Sequence, residues 1–111
     1  MAQTFRVFYA QLSGRAAFNV NLDGFNISRQ SAILVTAAPC SFSGQGGFFD
    51  QDMRLNVHGP DVRVSNVVPH GPEGAAGGVE FVLTLDAPTD VAVTITVLDP
   101  WDLVGGWTRG N

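Results

Sequence analysis

The sequence predicts an all-β, single-domain antiparallel β-sandwich with Ig-like or jelly-roll connectivity and eight or nine short strands. Three observations lead there. Apolar and polar residues alternate with period two along most of the chain, no window carries a 3.6-residue apolar stripe, and turn-forming residues recur about every ten residues. The Cys–Trp–Cys spacing of antibody domains is absent, so the expectation concerns architecture alone.

The elements follow in order. In Gln3 to Tyr9, Phe5, Val7 and Tyr9 share one face, with Thr4 and Arg6 on the other. Phe18, Val20 and Leu22 alternate with Asn19 and Asn21, and Phe25 and Ile27 alternate with Asn26 and Ser28. Asp23-Gly24 between these runs predicts a hairpin, because both residue types accept positive φ. Ile33 to Ala37 reads as a short strand ended by Pro39, which has no N–H for a ladder. A Gly/Ser loop over Ser41 to Gly47 leads into a strand within Phe48 to His58, with Met53, Leu55 and Val57 on one side. Val62 and Val64 start the next strand, but Val67 and Val68 fall out of phase; a β-bulge near Ser65-Asn66 accounts for the slip. Val79, Phe81, Leu83 and Leu85 form one strand, Ala87-Pro88-Thr89 a turn, and Val91, Val93, Ile95 and Val97 another strand with Thr94 and Thr96 outward. The expected division is a sandwich domain over 1–98 and a Trp-containing tail over 99–111, packed on the domain or on a partner.

Composition narrows the function. A chain of 111 residues and 11.8 kDa is one domain's worth and long enough to bury a core. Ten acidic residues stand against six basic ones, all Arg, and the pI of 4.7 argues against binding a phosphate backbone; no nucleic-acid partner is expected. The start lacks a basic region followed by an apolar run, and no stretch approaches 18 apolar residues. We therefore expect synthesis in the cytoplasm without an export signal and no membrane partner. Cys40 is the one cysteine; it cannot form an internal disulfide or a multi-Cys zinc site, and reads as a small buried hydrophobe.

Patterns that carry chemistry fail one by one. His58-Gly59-Pro60-Asp61 recurs as His70-Gly71-Pro72-Glu73, but the two copies flank a strand of eight residues, which sets them about 25 Å apart. One ion cannot bridge that distance, so a turn used twice is expected. No Gly-x-Ser-x-Gly elbow occurs; Ser41-Phe42-Ser43-Gly44 is the nearest approach. Glu73 and Glu80 read as exposed acids rather than a glycosidase pair. Asp50-Gln51-Asp52, and Asp99 with Asp102, do not continue into a calcium loop. The glycines of 44–47 and 74–78 do not lead into a helix, as a phosphate cradle requires. Asn26-Ile27-Ser28 matches a glycosylation sequon, read here as chance. No catalytic, cofactor-binding or metal site is expected, and not an enzyme.

What remains resembles contact surface. The segment Asp99 to Arg109 holds both Trp residues, with Leu103 and Arg109, and Trp and Arg are enriched at interface hot spots. Phe42, Phe48 and Phe49 sit among Gly and Ser. The outward rows Asn19, Asn21, Asn26, Thr94 and Thr96 carry few charges, and the chain has no Lys with which to blunt a sheet edge. The expected function is protein–protein packing in a larger assembly, as in a phage or virus structural subunit (capsid decoration or tail-associated) located in the virion, with partners that are copies of itself or a particle lattice. The expected contacts are Trp101, Leu103, Trp107, Arg109, Phe42, Phe48 and Phe49. The alternative is a carbohydrate-binding or adhesive sandwich module, in which sugars stack on Trp101, Trp107 and Tyr9 beside Asn side chains.

Overall fold

A computed structural model describes residues 3–22, 27–28, 31–42, 53–71 and 77–98. These are all-β. Five strands, β1 (Gln3–Asn21), β2 (Ile33–Phe42), β3 (Met53–Leu55), β4 (Val62–His70) and β5 (Gly78–Val97), form one antiparallel sheet.

β5 is the centre of the sheet. β1 pairs with it along its whole length, from Gln3 opposite Val97 to Asn21 opposite Gly78. Its other edge is shared: β4 lies against Gly78–Leu85, and β2 against Val91–Val97. β3 extends the sheet from the far end of β2, pairing Leu55 with Cys40 and Met53 with Phe42. The sequence explains the central position. A strand with both edges and one face covered must be apolar on that face, and Val79, Phe81, Leu83, Leu85, Val91, Val93 and Ile95 are all buried. Phe5, Val7, Tyr9, Phe18, Val20, Ile33, Val62 and Val64 pack around them from the flanking strands, and Leu22 and Ile27 complete the cluster.

The sheet is sharply bent. Tyr9 and Phe18 lie on one strand nine residues apart, which an extended chain would place about 30 Å from each other. Their ring centroids are 4.7 Å apart. The bend coincides with register shifts between Tyr9 and Leu12 and between Leu12 and Gly14, where Gln11 (φ 52°) and Gly14 (φ 73°) take left-handed backbone. A bulge adds local twist and bends its strand. It also moves the core face of β1 from odd residues (Phe5, Val7, Tyr9) to even ones (Leu12, Phe18, Val20). Asp90 holds the bend: its Oδ1 accepts from both the backbone N–H and the Nε2 of Gln11, each at 2.9 Å.

Several expectations change. Ala87-Pro88-Thr89 does not end a strand, because β5 runs through it. Pro88 lies where β4 has ended and β2 has not begun, so the ladder on that edge needs no N–H from it. Pro39 does not end β2 either; it stands at the point where β2 exchanges β5 for β3, and its carbonyl accepts from Asn56 N–H at 2.8 Å. The predicted hairpin partner is also different. Phe18–Asn21 pair with β5, while Ile27 and Ser28 lie outside any strand; Asp23-Gly24 falls outside the described residues. β3 is only three residues long; Val57, expected on one side of a strand with Met53 and Leu55, lies beyond its end and is 93% exposed. Long β1 and β5 thus replace several of the short strands expected. The bulge in β4 is present where the phase slip put it, with a register shift between Ser65 and Val68 and Asn66 at φ 53°. Gly59 and Gly71, on either side of β4, both take positive φ; Pro72 and Glu73 of the second His-Gly-Pro copy lie outside the described residues.

Candidate interaction surface

The face of the sheet turned away from the core mixes apolar residues, Phe8 opposite Ala92 and the buried Val82, with polar ones joined by cross-strand bonds. Thr4 Oγ1 donates to Thr96 Oγ1 at 3.2 Å, and Arg6 Nε to Thr94 Oγ1 at 2.9 Å. Arg63 pairs with Asp86 at 3.0 Å, both more than half exposed, so the pair adds little to stability. At the far end, His70 of β4 reaches across Gly78 to Asn19 of β1, with Nε2 2.6 Å from Asn19 Oδ1. Asn19 Nδ2 in turn donates to Asn21 Oδ1 at 3.2 Å, which makes Oδ1 the acceptor and His70 Nε2 the donor. Gly78 makes this crossing possible: a Cβ there would overlap Val20 O and come within 3.0 Å of both Asn21 Cα and His70 Nε2.

Apolar groups are also uncovered. Leu34, Leu55, Val57, Val68 and Leu98 are the large hydrophobics exposed among the described residues. Leu34 pairs with Thr96, and Leu98 N–H donates to Ala32 O at 2.9 Å, so both leucines lie at the end of β5 that precedes residue 99.

The edges of the sheet matter most. β1 is an edge strand of 19 residues, and among the described residues no strand pairs with its outer side. Its charges are Arg6 and Arg15 alone; it contains no Lys, Asp, Glu or Pro. Natural edge strands are usually kept short or blunted with charge or proline. This one relies on the bulge at Gln11–Gly14 only.

The expected contact residues are placed unevenly. Phe42 ends β2 opposite Met53. Phe48, Phe49, Trp101, Leu103, Trp107 and Arg109 lie outside the described residues, as does Asn26 of the polar rows. Asn19, Asn21, Thr94 and Thr96 do share the outer face. The length of the β1 edge escaped the sequence reading, although the change from odd to even core residues between Tyr9 and Leu12 was a signal that one strand continued through a bulge.

Among the described residues no group of three or more His, Cys, Asp or Glu side chains could hold a metal ion, and no helix is long and apolar enough to cross a membrane. Cys40 is buried on β2. Burial pushes its thiol above the usual value of 9.0; the negative charge of Asp90 adds to this and the positive charge of Arg6 opposes it. A thiol held protonated is a poor nucleophile. Burial likewise raises the Tyr9 phenol above 10.0. In both cases the unfolded chain releases its proton first. Stability from these two groups is therefore fully present below pH 9 and is lost as pH rises from there, through Cys40 first and then Tyr9. Urea midpoints measured at increasing pH should fall above about pH 9, and Cys40→Ala should delay the onset of that fall. A midpoint that stays level through this range would contradict the burial of both groups.

No family model matches the chain, and comparison with curated proteins and with solved structures gives no match.

Proposed function

We propose that this protein is a non-enzymatic structural subunit that works by packing against other protein subunits in a larger assembly, of the kind found in phage or virus particles as a capsid-decoration or tail-associated component. The observation that carries this reading is the 19-residue β1 edge, open among the described residues and nearly uncharged. In an isolated molecule such an edge invites uncontrolled pairing, whereas in an assembly it is covered. The Asn and Thr of the outer rows and the exposed Leu34, Leu55, Val57, Val68 and Leu98 favour the same reading.

The finer architecture belongs to the proposal as well. A single sheet with one apolar face must bury it against a second layer. Bending at Gln11–Gly14 in β1 and Asp86–Asp90 in β5 would set the two halves of the sheet face to face as a sandwich; the 4.7 Å approach of Tyr9 and Phe18 supports this. In this account Trp101, Leu103, Trp107, Arg109, Phe42, Phe48 and Phe49 supply the apolar contacts to neighbouring subunits, and the protein resides in the virion.

Light scattering on the purified protein and on Trp107→Ala tests the reading. Species heavier than the 11.8 kDa monomer are expected for the native sequence. Loss of a central Trp should weaken association by about 2 kcal/mol, roughly 30-fold. A strict monomer that binds no particle, and whose behaviour Trp107→Ala leaves unchanged, would contradict it.

A further inference from the structure

We propose that the edge of β1, which no strand covers among the described residues, pairs over Gly14–Val20 with the same segment of a second copy, antiparallel about a two-fold axis at Ala17. This rests on the assembly reading above and names one of its contacts. Edge strands associate through their outward N–H and C=O groups, and a two-fold axis makes the pairing self-complementary.

Charge chooses the segment. The bulge divides β1 into two continuously paired halves, Gln3–Tyr9 and Gly14–Asn21. Full overlap of two copies of the first half would centre on Arg6 and set it opposite its own copy, a like-charge pair that destabilises. The second half has Arg15 as its sole charge, and centring on Ala17 moves it away from its copy.

Shape then chooses the register. Residues directly opposite each other share a face, and centring on Ala17 pairs Arg15 with Asn19 and Ala17 with itself on the outer face. On the core side it pairs Ala16 with Phe18 and Gly14 with Val20. Gly14 and Ala16 are exposed, while Phe18 and Val20 are only half-buried, so each large side chain of one copy would cover a small, open position of the other. Asn19 is prepared for its partner. Its bond to Asn21 turns Oδ1 toward His70, whose bond uses one lone pair and leaves the second for the Arg15 guanidinium of the other copy.

Sedimentation velocity over a concentration series tests the pairing with three proteins. The native chain is expected to form dimers or larger multiples. Asn19→Lys sets Lys opposite Arg15 twice per interface and should weaken association about tenfold or more. Arg15→Glu combined with Asn19→Lys replaces that repulsion with two opposite-charge pairs and should restore association. If Asn19→Lys fails to fold for want of its bond to His70, Ala17→Lys makes the same test, because it sets Lys opposite itself and leaves that bond intact. Association that Asn19→Lys and Ala17→Lys leave unchanged would overturn this pairing while leaving the assembly reading in place. A native chain that stays monomeric up to about 1 mM would also overturn it; whether the assembly reading falls too is then decided by binding to a particle.

Discussion

Replacing Phe81 with alanine is expected to cost about 3–5 kcal/mol, enough to unfold much of the population of a domain this small. Phe81 is 1% exposed near the start of β5, and its ring lies 6.1 Å from that of Phe18, stacked at 27°. β1 is paired with β5 at this level, Phe18 opposite Phe81, and β4 holds β5 on either side of its bulge, with Ser65 opposite Val82 and Val68 opposite Glu80, so the surroundings have little freedom to close over the space the ring leaves. Phe18→Ala removes the other ring of the pair from a half-buried edge strand and should cost distinctly less. Urea denaturation followed by far-ultraviolet circular dichroism measures both. Equal effects, or a loss under about 1 kcal/mol for Phe81→Ala, would mean that β5 is not the middle of the sheet.

Gly78→Ala is expected to cost about 3 kcal/mol, at the upper end for overpacking. The obstacle is backbone: the added Cβ would overlap Val20 O and meet Asn21 Cα at 3.0 Å, and neither can turn aside as a side chain would. It would also meet His70 Nε2 at 3.0 Å and disturb the bond to Asn19. Gly14→Ala is the informative comparison. A Cβ at Gly14 meets nothing within 4 Å, so the substitution carries only the strain of a positive φ, about 1 kcal/mol. Thermal denaturation should rank Gly78→Ala well below Gly14→Ala; the reverse order would contradict the close approach of β1 and β5 at Gly78.

Much of the sheet was legible in the sequence, and the exceptions share a cause. Alternation located the core of β5 and the outward rows of Thr94, Thr96, Asn19 and Asn21, because side-chain direction follows the pleat whatever the partner strand. The slip at Val67 located a bulge for the same reason. Proline is a poor guide to strand ends in this chain, because β2 and β5 run through theirs. Pro39 and Pro88 both sit where a strand changes or lacks a neighbour, and that depends on the topology of the whole sheet rather than on local chemistry. Phe18–Asn21 pair with β5, 57 residues or more away in the chain, and Ile27 and Ser28 lie outside any strand, while Asp23-Gly24 falls outside the described residues. The expected contact residues of the tail and of the Phe-rich loop fall outside the described residues, while the β1 edge emerged only once the pairing of the sheet was known.

Amide hydrogen exchange on β1, at low and high protein concentration, tests the central claim most directly. Amides bonded to β5 should be protected at both concentrations. The alternate amides of Gly14–Asn21, which point away from β5, should exchange freely when dilute and slow as the concentration rises, giving a period-two pattern of concentration-dependent protection. Protection along β1 that is the same at every concentration, with the outward amides always exchanging freely, would mean that no other subunit ever covers this edge.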